Sequence, residues 1–214
     1  MAVDGKSGEV MFKIGAQITA HEAKARWAYS ELLSGRFGKS YAGVGPKHIH
    51  DMAAAKNPFS TLLPADHDEL VTMLDRGRDP ALTAMVDSSP MYRSEAWTKG
   101  QLVHTWALPA FNPPAKRSAI PYYDFYTGRP NTGPAGTAED SDPRVAAKSI
   151  PYGTPFNQNH EPVIVVGKPG EYVLLEGYLR SIIFMRSSDP SHRILAWVPF
   201  VPISRMPTRE AGEV

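Results

Sequence analysis

The chain has 214 residues, 42% hydrophobic and 21% charged, with 20 prolines, 17 glycines and no cysteine, enough for one substantial core or two small ones. The missing cysteine excludes disulfide scaffolds, thiolate metal sites, iron–sulfur clusters and thiol nucleophiles. With 23 Lys+Arg against 22 Asp+Glu and a net charge of +1, no overall field draws the chain to nucleic acid or an anionic membrane.

The N-terminus is polar, and no run approaches the roughly 18 apolar residues of a spanning helix, so a soluble cytoplasmic protein without membrane insertion is expected. Residues 13–36 predict a helix, with Ile14, Ile18, Ala25, Trp27, Tyr29, Leu32 and Leu33 near a 3.6-residue rhythm and Lys24, Arg26 and Glu31 between them. Thr19 and Glu22 form a capping-box pattern that places the true start near Thr19. A short helix is expected over 48–56, stopping before Asn57-Pro58. A better signed one follows Pro64, with Asp66, Asp68 and Glu69 in the first turns, where the helix dipole favours acids. Residues 80–87 and 90–106 read as further helical turns.

Eleven of the 20 prolines lie between 107 and 170, which excludes long helices there. Ile120 to Tyr126 is aromatic-rich and strand-like, while Thr127 to Asp142 has no large apolar residue and reads as a loop or linker. Pro162-Val163-Ile164-Val165-Val166 is a short buried strand, Lys168-Pro169-Gly170 a turn, and Glu171 to Leu175 a second strand, together a β-hairpin. Glu176-Gly177 closes it. Tyr178 to Arg186 opens a helix at once, and Ile194 to Val198 is a third strand.

A strand, then Glu-Gly, then a helix with arginine in its first turn has the parts of an anion site. Gly177 permits a sharp turn and a close approach to the backbone. The first N–H groups of the helix lack internal partners, and the Arg180 guanidinium is a planar fork matched to phosphate oxygens. Glu176 stands beside these groups as a Mg²⁺ ligand or a base, or else as a cap on the helix. His160 and Glu161 enter the preceding strand at the same end of the hairpin. Other patterns carry less. His48, His50 and Asp51 lack a third partner at metal-ligand spacing. Trp97, Trp106, Tyr122, Tyr123, Phe125 and Tyr126 read as core aromatics before base-stacking ones, and Lys116-Arg117 with Arg129 is too sparse for a phosphate-backbone face.

The run from His160 to Val166, followed by a turn and Glu171 to Arg180, resembles the core of the ParB/sulfiredoxin superfamily, in which a strand with a leading proline precedes a hairpin and a Gly-x-x-Arg turn opening a helix. The resemblance spans 160–198. It implies an α/β (α+β) fold with a mainly helical region over 1–100, a nucleotide-binding core over 101–205 and a tail over 206–214. Members of the superfamily hold nucleotide phosphates at this turn. The resemblance therefore implies a nucleotide (ATP, ADP or CTP) at Gly177, Tyr178, Leu179, Arg180 and Ser181, with Mg²⁺ at Glu176. Glu176, Arg180, Glu161 and His160 would be the catalytic groups. Sulfiredoxins carry a cysteine directly after the glycine, where this chain has Tyr178, so sulfinic acid reduction is excluded. CTP-dependent partition proteins carry Glu-Arg where this chain has Tyr178-Leu179, which argues against a CTP switch. What is left is an ATPase, with Mg²⁺-dependent cleavage of DNA as a linked activity and interference with plasmid transfer as a role known in the superfamily. The alternatives are a kinase of a small molecule such as free serine, and a non-catalytic module binding a protein or DNA.

Overall fold

In the computed structural model, residues 13–33, 41, 43–107, 120–127, 150–157 and 161–200 are described. His160, the stretch 128–142, Lys116-Arg117 and the tail fall outside them. The described strands are β1 (Gln17–Thr19), β2 (Met91–Trp97), β3 (Trp106–Ala107), β4 (Ile120–Pro121), β5 (Val163–Val166), β6 (Val173–Glu176) and β7 (Ile194–Phe200). They form one mixed sheet in the order β1-β2-β7-β5-β6-β3-β4. The helices are α1 (Ala20–Leu33), α2 (Lys47–Ala54), α3 (Pro64–Gly77), α4 (Pro80–Val86), α5 (Lys99–Val103), α6 (Tyr122–Thr127) and α7 (Tyr178–Arg186). The class is therefore mixed α and β, and the sheet draws strands from both sides of residue 100. No helix among the described residues is long and apolar enough to cross a membrane.

The centre of the sheet has the expected hairpin. β5 and β6 pair antiparallel, with Ile164 opposite Glu176 and a register irregularity after Ile164. β7 returns parallel to β5 and is antiparallel to β2, Met91 facing Phe200 and Trp97 facing Ile194. All four residues of β5 are buried, as a strand covered on both faces requires. Its alternation sorts the core into two layers. Ile164 and Val166 join Trp197, Trp27, Leu70 and Leu74 under α1 and α3. Val163 and Val165 join Leu174, Ile182, Phe184 and Tyr122 under α6 and α7. Helices thus cover both faces of the central strands.

Local chemistry explains most boundaries. The Thr19 hydroxyl accepts the Glu22 N–H at 3.1 Å, fixing the start of α1. At α3, Pro64 takes the first turn and the Asp66 carboxylate reaches back to accept the Leu63 N–H at 2.8 Å. Three expectations are corrected. Residues 91–97, expected to be helical, are the strand β2. Residues 122–127, expected to extend a strand, are helical, with only Ile120–Pro121 in the sheet. Lys24 and Glu31, placed on the polar side of α1, are buried at 8% and 4% exposure, whereas Ile14 and Leu33 are exposed. Burial does not leave either charge alone, since Lys24 pairs with Asp87 and Glu31 with Arg78.

Candidate functional site

The hairpin brings the entrance of β5 and the exit of β6 to one end of the sheet. Glu161 precedes β5, Glu176 ends β6, and Arg180 lies in the first turn of α7. Between β6 and α7 stands Gly177, with φ 95° and ψ 24°. A Cβ here would lie 2.4 Å from Val163 Cγ1 and 3.1 Å from Val163 Cα. The glycine is therefore demanded twice, by the left-handed backbone and by the close approach of β5. The space that a Cβ would take is filled by Val163.

Glu176 and Arg180 are bonded to one another across this turn, Arg180 Nη2 to Glu176 Oε1 at 3.1 Å. Arg180 Nε is buried and has no hydrogen-bond partner among the described residues. Ser181 is the first residue of α7 whose N–H enters the helical ladder, bonding the Gly177 carbonyl at 2.9 Å. The N–H groups of Tyr178, Leu179 and Arg180 precede that ladder. The Ser181 hydroxyl is fully buried, donates to the Tyr178 carbonyl and receives the Tyr122 hydroxyl at 2.6 Å. Ser181 is thus bonded within the protein through both its hydroxyl and its N–H. The Tyr178 hydroxyl donates to the Leu174 carbonyl at 2.8 Å, and Leu179 points outward at 52% exposure.

The opposite wall comes from α1, more than 100 residues earlier in the chain. Glu22, Arg26 and Ser30 follow one another at four-residue spacing and so share a helix face. Ser30 Oγ donates to Glu176 Oε1 at 3.1 Å. Arg26 bonds Glu22 at 2.9 and 3.0 Å and Glu161 at 3.1 Å. Its guanidinium also lies 4.3 Å from the Phe59 ring centroid and 5.5 Å from that of Trp197. Burial pushes the Glu161 carboxyl above its usual pKa, while Arg26 and the Trp197 indole oppose the rise. Next along α1, Glu31 accepts the Trp27 indole N–H at 2.9 Å and pairs with Arg78. Its pKa is also raised, by burial first and then by the charge of Glu176, against the pull of Arg78. Burial and the same Glu31 charge push the Tyr41 hydroxyl up to about 12.

One end of the sheet therefore gathers four carboxylates (Glu22, Glu31, Glu161, Glu176) and three guanidiniums (Arg26, Arg78, Arg180). Each guanidinium is already joined to a carboxylate. An added anion at this end would have to displace one of these carboxylates from its guanidinium. Of the candidate residues, Glu161, Glu176, Gly177, Tyr178, Leu179 and Arg180 lie at this end, and Arg180 contributes to the electrostatics of Glu161.

For Mg²⁺, the described residues hold no group of three or more histidines and acids arranged around a common centre. Glu176 could supply one carboxylate oxygen, with the remaining ligands left to water and phosphate, as is usual for this ion. The histidines at 48 and 50 are turned apart: His48 Nε2 meets Asp66 at 2.7 Å, and His50 Nε2 meets the Val44 carbonyl at 2.7 Å. Compared with known proteins, the chain matches no family model, no curated protein and no solved structure.

Proposed function

We propose that the protein binds a nucleotide, ATP first, at the turn from β6 into α7 and cleaves or transfers a phosphate bond there. The observation that carries this reading is the Glu176–Arg180 pair astride Gly177, at the open end of α7. A phosphate arriving at the first-turn N–H groups offers Arg180 an anion in place of Glu176. The exchange keeps the guanidinium paired and frees a carboxylate beside the phosphate. Glu176 is then placed to take a proton from an attacking hydroxyl or water. Glu176 is also the residue that would hold Mg²⁺, which when bound neutralises charge on the phosphate oxygens. Glu161 and Arg26 brace the site from the β5 side.

The test is titration of the full chain with ATP, ADP and CTP, with and without Mg²⁺, together with release of inorganic phosphate. Arg180→Lys keeps a positive charge but loses the fork. Removing a charge-assisted pair of hydrogen bonds costs about 1.5–3 kcal/mol, so binding is expected to weaken about ten- to hundredfold. If no nucleotide binds, or if Arg180→Lys binds and turns over as the unchanged chain does, the reading is wrong.

A further inference from the structure

Ser30 is the hydroxyl that the described structure brings to Glu176. A serine within a helix commonly turns its hydroxyl back to the carbonyl four residues earlier. Ser30 instead bonds a carboxylate 146 residues away in the chain. It is only half-buried, so a ligand can reach it. Its Oγ and Arg180 Nη2 meet the same oxygen, Glu176 Oε1, each at 3.1 Å. Hydroxyl and guanidinium therefore lie no more than about 6 Å apart, both against one carboxylate oxygen. A phosphate oxygen bonded to Arg180 at about 2.8 Å brings its phosphorus within reach of the roughly 3–3.5 Å that attack by Oγ requires. The other hydroxyls nearby are spent elsewhere, Ser181 in the core and Tyr178 on the Leu174 carbonyl.

On the basis of the nucleotide reading above, we infer that Ser30 is the acceptor of the phosphoryl group, so that the protein passes through, or rests in, a form phosphorylated on its own first long helix. The co-reactant is a nucleoside triphosphate. Ser30 Oγ attacks the γ-phosphorus and its proton passes to Glu176. The bond from the γ-phosphorus to the bridging oxygen breaks, and that electron pair leaves with the nucleoside diphosphate. Arg180 faces the transferred oxygens throughout, and afterwards pairs with the phosphoserine in place of Glu176. Attack by a side chain held in the site, rather than by free water, gives the Glu22–Arg26–Ser30 face of α1 a chemical use.

The experiment incubates the full chain with γ-labelled ATP and Mg²⁺, quenches in acid, which phosphoserine survives, and measures intact mass and the labelled peptide. The expected result is a gain of one phosphate on Ser30, with no label from α-labelled ATP. Ser30→Ala is expected to abolish the label while ATP affinity stays within about twofold, and Ser30→Thr to restore slower labelling. Loss of a general base costs roughly 10²–10⁴ in rate, so Glu176→Gln is expected to slow labelling at least a hundredfold. Wild-type protein that binds ATP but carries no phosphate, or a label that persists in Ser30→Ala, overturns the inference and leaves nucleotide binding standing. Failure of the wild type to bind ATP overturns both.

Discussion

Replacing Gly177 by alanine tests the turn on which the candidate site is built. Two costs can be worked from the structure. The left-handed conformation at φ 95° disfavours any residue with a Cβ by about 1–2 kcal/mol. The new methyl would also stand 2.4 Å from Val163 Cγ1, 2.8 Å from its Cβ and 3.1 Å from its Cα. Val163 is fully buried in a central strand, so it has little room to withdraw, and such overpacking costs about 1–3 kcal/mol. The expected destabilisation is about 2–5 kcal/mol, a large part of the roughly 5–15 kcal/mol that holds a domain folded. Gly170 separates the two terms. Its φ is 86°, yet nothing lies within 4 Å of the Cβ it would gain, so Gly170→Ala should bear only the first cost. Urea unfolding followed by tryptophan fluorescence reads both. With a slope of roughly 1–3 kcal/mol per molar, Gly177→Ala should lower the midpoint by about 1–2 M and Gly170→Ala by clearly less. Equal shifts in the two variants would show that β5 yields without cost, and the packing argument would fail.

Two further outcomes follow from the charged cluster and from α3. Arg26→Ala strands the buried Glu161 carboxylate and should cost about 3–5 kcal/mol, read as a fall in melting temperature. Glu161→Gln keeps an acceptor for Arg26 and should cost less than half as much; the reverse order would refute the pairing. Asp66 has its pKa lowered, first by its bond with His48 and also by the Leu63 N–H. A carboxyl whose folded pKa is depressed contributes stability that is present above its unfolded pKa and lost as pH falls through the folded one. Asp66→Ala should therefore cost about 0.5–2 kcal/mol near neutrality, and the gap to wild type should close below about pH 4. A gap that stays constant to pH 2 would show that the charge of Asp66 has no part in holding α3.

The parts of the fold that were legible in the sequence carry their signals locally. Pro162, Gly170 and Gly177 bracket β5, β6 and the start of α7, and Thr19 marks the start of α1. β2 was not legible because its alternation is broken by Ser94, a polar residue at 1% exposure. Its hydroxyl donates to the Lys13 carbonyl at 2.6 Å and accepts the Ala16 N–H at 3.1 Å, partners that only the folded chain supplies. In α6, aromatic residues of high strand propensity are helical because Tyr122 is carried into the core to bond Ser181. Packing there overrides propensity. The candidate site divides in the same way. An antiparallel hairpin necessarily brings Glu161 towards Glu176, so that half could be read from the sequence. Arg26, Ser30 and Glu31 come from a helix more than 100 residues earlier. For Arg26 and Ser30 the sequence offers only a four-residue spacing with Glu22, which any solvated helix face also shows.

The sheet order also sets a sequence of events in time. β2 finds its main partner only in β7, about 100 residues later, and β5 lies between β7 and β6. As the chain leaves the ribosome, the helices under which β2 belongs emerge long before any strand that can complete its ladder. Pairings of such long range form late, because the intervening chain must first be closed into a loop. Ser30 and Glu176, 146 residues apart, belong to the same class of contact, so the constellation at the sheet's end carries a loop-closure cost as large as that of the β2–β7 ladder.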